Sequence, residues 1–337
     1  MYKIFFKITI LLFLLQGCRK TSEVAMIEKP SFDFNSFVKS DSIKIPDLLK
    51  IQPLWWAVKN DKIVMVSPQN NDYYLYVFSL PQFNLLYKYG TRGQGPNEFV
   101  LVSWINMLNE NQIGLYDSPK KNMYIYDLYA DTLQLNKTFN YSDLERESPF
   151  SLIQQIEGTE FIFKAYNRQN TVIDFVDINT GEISQTFTPF LKRKNKRSHY
   201  TAYLLKASAN KNMIAFAYLF IDRIELFHIN KDKLAEPFLI IGDKKNQEDK
   251  RMDDYDVYYT DVHCDNKYIY ALSQQGEKNE NIKNSAIEIY DLNGVPIKKI
   301  TLDRHIRYFT IDDKNSVIYG NDSYSDFDYV YVYKIDI

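Results

Sequence analysis

A chain of 337 residues can bury a large core, as two average domains or as one large all-β domain, and its 27 Tyr and 22 Phe favour pleated, half-buried strands. A formal net charge of -2 excludes a global attraction for nucleic acid or anionic lipid, so any such contact has to be local.

The first segment, MYKIFFKITILLFLLQG, places Lys3 and Lys7 ahead of an apolar run from Ile8 to Leu15. That run is too short to span a bilayer but suits the core of a secretory signal, so residues 1–17 are expected to be a signal peptide. Leu15-Gln16-Gly17-Cys18 resembles the bacterial lipobox, which implies a diacylated Cys18 as the mature N-terminus. Two or three acyl chains give stable anchoring where one is marginal. Residues 18–39, polar after Cys18, read as the lipidated cysteine and a tether. With Cys18 lipidated, Cys264 has no partner for an internal disulfide and reads as a small buried apolar residue.

From residue 40 onward one phrase recurs six times: a polar turn, a short strand, a gap, a strand ending near Asp, a turn and a last strand. Copies begin at Lys59, Asn109, Glu157, Asn210 and Asp265, and the last ends the chain at Ile337. Each is preceded by a further apolar segment, such as WWAVKN or SLIQQIE. Runs such as MYIYDL have strand length and alternate or stay apolar, and helical periodicity is absent. Four strands per unit repeated radially predict an all-β fold over residues 40–337, a six-bladed β-propeller of four-stranded antiparallel blades. The last copy stops after its third strand, at YVYVYKIDI, and SDSIKIPDLLKI from Ser40 is expected to supply the outer strand that closes the ring.

GTRGQGPNEF, residues 90–99, falls between the outer strand of the first blade and the inner strand of the second. Gly90, Gly93 and Gly95 are expected to allow positive φ, Pro96 to fix a turn and Phe99 to plug the space between two sheets. No Gly-Lys-Ser/Thr follows and no helix starts there, which excludes a phosphate loop. This loop, followed by NQIGLYDSPKKNMYIYD, resembles the NHL repeat. Together with the lipobox it is similar to the TolB-like six-bladed propeller lipoproteins of Bacteroidota. The chain departs from the NHL pattern at Val100 and Leu101, where a proline is expected, and its other blades lack the glycine loop. The resemblance implies a cell-envelope, outer-membrane lipoprotein, and RKTSE after Cys18 suggests that it faces the periplasm.

Crossing loops and second-to-third-strand loops share one face of a propeller, the usual binding face. The candidate binding residues there are Arg92 and Glu98 of the glycine loop and the basic run Lys192, Arg193, Lys194, Lys196 and Arg197. Asp253, Asp254 and Asp256 form an acidic loop without the spacing of a calcium loop. Inner-strand segments offer Trp104, Asn106, Gln154, Lys206, Asp261, His263 and Arg307 to the central channel, of which Trp104 and Asn106 join the candidate binding face. His199, His228, His263 and His305 fall in separate blades without metal-ligand spacing, and no nucleophile elbow is present. The expectation is a non-enzymatic binding or scaffold module without cofactor. It is held to a membrane by its lipid and engages a protein or glycan rather than nucleic acid. The alternative is a Ca²⁺-dependent hydrolase or lactonase with its metal in the channel, suggested by Asn106, Asp261 and the blade number.

Overall fold

The computed structural model describes residues 24–46, 55–59, 61–67, 73–109, 111–140, 153–157, 160–167, 170–187, 205–210, 212–229, 235–242, 256–275, 284–322 and 326–337. Among these there is no helix. Three short strands come first, β1 (Ala25–Ile27), β2 (Asn35–Val38) and β3 (Asp41–Lys44). The first blade is β4 (Trp55–Lys59), β5 (Lys62–Val66), β6 (Leu75–Ser79) and β7 (Leu85–Tyr89), followed by the two-residue strands β8 (Thr91–Arg92) and β9 (Glu98–Phe99). The second is β10 (Val102–Asn109), β11 (Gln112–Asp117), β12 (Asn122–Leu128) and β13 (Leu133–Asn140). The third is β14 (Ile153–Glu157), β15 (Glu160–Asn167), β16 (Asn170–Asp177) and β17 (Ile183–Phe187). The fourth is β18 (Leu205–Asn210), β19 (Met213–Tyr218), β20 (Arg223–Ile229) and β21 (Ala235–Gly242). The fifth is β22 (Tyr259–Cys264), β23 (Tyr268–Gln275), β24 (Asn284–Asp291) and β25 (Pro296–Leu302). The sixth is β26 (Tyr308–Asp312), β27 (Val317–Asp322) and β28 (Asp326–Lys334).

These sheets form a ring, because the inner strands β4, β10, β14, β18, β22 and β26 touch in sequence and β26 returns to β4. The fold is therefore a six-bladed β-propeller, and the closing strand is where the sequence places it. β3 pairs antiparallel with β28, Ile43 opposite Val330, and completes the sixth sheet in the order β26-β27-β28-β3.

Both faces of each blade are buried, which is why the strands read as nearly continuous apolar runs. In β19, Met213, Ala215 and Ala217 pack toward the fifth blade, while Ile214, Phe216 and Tyr218 pack toward the third. In β5, Val64 and Val66 face the second blade, and Ile63 and Met65 face the sixth. The period of two thus splits one run between two seams. Six apolar clusters result, one at each junction between successive blades, the last joining Met65, Phe78 and Phe83 to Val317 and Tyr319. Each fully buried Val, Leu or Phe contributes roughly 1.5–3 kcal/mol.

The "strand ending near Asp, then a turn" has a physical basis. Asp177 Oδ1 accepts hydrogen bonds from the amides of Asn179 (2.7 Å) and Thr180 (3.3 Å), and Asp291 Oδ1 does the same for Asn293 (2.9 Å) and Val295 (2.8 Å). Gly181 and Gly294 then take left-handed φ of 74° and 81°.

The segment expected to be a polar tether is, from Val24, laid along the rim. β1 pairs parallel with β21 on the fourth blade, and β2 pairs parallel with β25 on the fifth, so both sheets gain a fifth strand. Between them Lys29 enters a polar socket, 2.9 Å from Asp222 Oδ1 and 3.0 Å from Glu288 Oε1. Glu288 has no exposed surface; its other oxygen accepts bonds from the Tyr259 and Tyr290 hydroxyls, both 3.0 Å, and Lys299 approaches to 3.3 Å. Phe32 packs edge-on against Tyr290 at 5.3 Å, and the Ser40 amide donates to Asp303. Backbone pairing, ion pairing and an aromatic contact hold this strap against half the ring.

Candidate functional site

The glycine loop forms a small fastened corner. β8 and β9 pair parallel, with Thr91 opposite Glu98 and Arg92 opposite Phe99. Gly90 has φ 69°, and a Cβ there would lie 2.2 Å from the Phe99 ring, so glycine is required by both backbone and space. Phe99 is fully buried and edge-on to Tyr74 (5.8 Å), Tyr124 (5.7 Å) and Tyr126 (6.4 Å), sealing the first two blades as the sequence predicts. Gly95 does not adopt the positive φ expected of it; Asn97 does, at 57°, with its Oδ1 accepting from the Tyr89 hydroxyl at 2.9 Å. Asn is among the few side chains that tolerate this region.

Polar groups from three directions hold the corner. Glu98 Oε2 accepts from the Gly95 amide at 2.7 Å, and a Cβ on Gly93 would come within 2.0 Å of that oxygen. Lys120 donates to the Glu98 carbonyl at 2.8 Å. The buried Asp117 carboxylate accepts from the amides of Val100 (2.8 Å) and Leu101 (3.1 Å), and the Tyr74 hydroxyl donates to the Val100 carbonyl. Burial, partly offset by the Arg92 guanidinium, raises the Tyr74 hydroxyl above its ordinary range, so it stays a donor. Asp117 ends β11, Lys120 lies in the β11–β12 connection and Tyr74 in the β5–β6 connection, which places second-to-third-strand loops on the same face as the crossing loop.

Glu98, a candidate for ligand contact, thus has its carboxylate turned into the corner. Arg92 and Gln94 are exposed on its outside. Trp104 is buried in the seam between the second and third blades, where its ring lies 3.1 Å from the Cβ position of Gly114. Asn106 is half-buried on the same strand. Cys18, Lys192, Arg193, Lys194, Lys196, Arg197, His199, Asp253 and Asp254 lie outside the described residues, as do the side chains of Gln154 and Lys206. Asp256 is half-buried just ahead of β22.

The remaining channel candidates bond to neighbours. Asp261 Oδ2 accepts from the Phe309 amide of the sixth blade at 3.2 Å, and Oδ1 from the Val262 amide at 3.1 Å. His263 packs against Phe309, with ring centres 6.5 Å apart. Arg307 Nε lies 3.7 Å from Asp322 Oδ1, and His305 Nδ1 lies 2.9 Å from Oδ2 of the same carboxylate. His228 stacks on Phe238 at 3.7 Å. Among the described residues, no three of His, Cys, Asp and Glu are grouped so as to hold a metal. Cys264 is buried, and burial, with Asp265 adding to it, pushes its thiol up to about 12, far from a nucleophile's range.

Sequence reasoning missed Asp117, Lys120 and Tyr74 as fasteners of the corner and Lys29 and Glu288 as the strap's socket. Asp117 stood at a strand end like the other turn aspartates, but its partners are known only once the blades are assembled.

No curated protein matches the chain in sequence. Among solved structures, a member of the DUF4221 family from Bacteroides vulgatus is similar with a TM-score of 0.59 at 10% identity, over 88% of this chain and 96% of that one. A protein described as exported, from Bacteroides fragilis, is similar with a TM-score of 0.57 at 13% identity, over 92% of this chain and 98% of that one. A luciferin-regenerating enzyme is similar with a TM-score of 0.54 at 8% identity, over 88% and 95%. At such identities these likenesses speak for the fold alone. The model of the TolB-like 6-blade propeller-like family matches residues 33–314, from within the strap to the sixth blade. The ring of six blades agrees with that match, and the chain belongs to the TolB-like six-bladed propeller family.

Proposed function

We propose that the protein is exported, is held to a membrane leaflet by lipid on Cys18, and binds a protein or glycan on the face that carries the glycine corner, without catalysing a reaction. The observation that carries the binding half is how the polar groups are used. Asp261 and Glu98, the carboxylates best placed for chemistry, accept backbone amides, whereas Arg92 and Gln94 stand exposed on a corner fastened by Asp117, Lys120 and Tyr74. A pre-organised corner lowers the ordering cost of binding. The basic run Lys192 to Arg197 precedes the fourth blade in sequence and would add attraction for an anionic partner. The signal-like segment, the lipobox-like Cys18 and the exported relative in fold support the envelope location.

Cys18→Ala is expected to abolish labelling by an alkyne palmitate analogue and to release the protein from the membrane fraction; retention of both would refute anchoring. For binding, a photo-crosslinking residue at Gln94 is expected to give a discrete adduct in cells. The same residue at Lys314, exposed in the β26–β27 turn on the other face, is expected to give none. Equal adducts at both positions, or none at Gln94, would sink the assignment of the face.

A further inference from the structure

Among the described residues, two stretches of the ring's rim gather several exposed apolar side chains. One lies on the first two blades, with Leu85, Leu86, Tyr129 and Leu135; the other lies on the strap and the fifth blade, with Ile27, Phe34, Phe37 and Val295. Phe34 and Phe37 are the most exposed of these, at 70% and 57%, although they flank and occupy a strand whose backbone is fixed: the Phe34 carbonyl accepts from the Lys299 amide at 2.9 Å. The neighbouring Phe32 and Val38 turn inward to the core. Phe37 points outward by the alternation of β2, between the inward Ser36 and Val38, whereas Phe34 stands exposed one residue ahead of the strand on backbone that Lys299 holds.

The chain itself chooses between the rims. Seven peptide steps join Cys18 to Ala25, where β1 is already paired with the fourth blade. At roughly 3.3–3.6 Å per residue, a lipid on Cys18 stays within about 25 Å of that blade. In a ring of six, the first blade stands opposite the fourth, so the tether serves the strap rim and not the rim of Leu85 and Tyr129.

We propose that the strap rim of the fourth and fifth blades is the membrane-facing surface of the protein, with Phe34 and Phe37 seated at the headgroup boundary beside the lipidated Cys18. This rests on the anchoring reading above. The six strap charges, Glu28, Lys29, Asp33, Lys39, Asp41 and Lys44, balance, so the contact is apolar and not a response to anionic lipid. Aromatic side chains settle at the interface, and an apolar contact beside a lipid chain fixes orientation where the lipid has already supplied affinity. The strap thereby does two things with one segment: its inward residues brace the ring, and its outward residues set the ring's attitude to the leaflet. The glycine corner, at the junction of the first and second blades, is held on the side away from the tether.

The test uses the full-length lipidated protein in phosphatidylethanolamine and phosphatidylglycerol vesicles containing doxyl-labelled lipid. Asp33→Cys and Asp131→Cys, both exposed and one on each rim, are labelled with a polarity-sensitive fluorophore, while the buried Cys264 stays unlabelled. Quenching at position 33 is expected to exceed that at 131 at least threefold, with a blue shift at 33 only. Equal quenching, or stronger quenching at 131, in protein that sediments with the vesicles would overturn the proposal while leaving anchoring intact. Protein that does not sediment and carries no lipid by mass spectrometry would instead remove the anchoring reading, and this one with it. A Phe34→Ser/Phe37→Ser variant should stay vesicle-bound with quenching at 33 reduced about twofold or more; unchanged quenching would overturn the role of the two aromatics.

Discussion

Phe99 touches three tyrosine rings and has no exposed surface, so Phe99→Ala removes a plug that neighbouring backbone cannot refill. The expected loss is about 3–5 kcal/mol, read as a lower midpoint in chemical denaturation. Gly90→Ala acts on the same contact from the other side: a left-handed alanine costs about 1–2 kcal/mol, and its methyl must also displace the Phe99 ring. Arg92→Ala, by contrast, should cost at most about 1 kcal/mol, because the side chain is exposed and gives up only a surface contact with the Tyr74 hydroxyl. The strap socket is sensitive to pH. Burial pushes Glu288 up, but Lys29, Lys299 and their hydrogen bonds outweigh it and hold the carboxyl below its ordinary value of 4.5. Its contribution is therefore complete above the unfolded carboxylate range and is lost as pH falls through the lower folded value. Lys29 moves the other way: burial lowers it, yet Glu288 and Asp222 together raise it above 10.5, so its contribution is complete below that value and fades at higher pH. Lys29→Met should therefore lower stability at neutral pH by about 1–2 kcal/mol, since Lys299 still faces Glu288, and this is read as a lower melting temperature. Melting temperatures of the two proteins should converge as pH drops well below 4.5; a constant gap down to acid pH would show that the socket is held by packing alone.

At the scale of elements, the blades were legible because their middle strands are buried on both sides, and runs such as MIAFAY or KIVMV leave no other reading. The turn aspartates and glycines were legible as well, since Asp177 and Asp291 bond amides only two to four residues away. The strap was not. AMI and NSFV are short, flanked by polar residues and half-exposed, and their parallel pairing with β21 and β25 depends on residues some two hundred positions distant. For the same reason, Glu98 looked like an outward carboxylate when its real partner, the Gly95 amide, was three residues back and the geometry was set by β8 and β9. The strap's function as edge cover has its own test. Deleting residues 24–34 while keeping Cys18 should raise amide exchange in β21, which loses β1, by about tenfold or more, and leave β7 and β13 unchanged, because no further strand pairs with those two among the described residues. Unchanged exchange in β21 would mean that β1 adds no local stability.

For the molecule as a whole, the six seams are alike in composition but not in covalent continuity. Five follow the chain, whereas the sixth blade is completed only when β3, 280 or more residues away in sequence, pairs with β28. What β3 covers is the strand DFDYVYVYK, nine residues long, which without it would be an unpaired aromatic edge. Ile43 and Ile45 tie β3 to the last seam: Ile45 is buried among Val58, Tyr319 and Val330, and its amide donates to the Asp328 carbonyl at 2.7 Å. Ile43→Ser/Ile45→Ser should therefore do more than subtract one buried and one half-buried side chain. It should loosen the closing strand, expose β28 to other copies and give concentration-dependent oligomers beyond the state of the unaltered protein, seen by size exclusion with light scattering. A control variant at a covalently continuous seam, Val64→Ser/Val66→Ser, which removes two fully buried side chains, should also lower the melting temperature but without forming oligomers, since no outer edge is uncovered. Oligomers in both variants, or in neither, would mean that ring closure by β3 is not what keeps β28 from pairing with other chains.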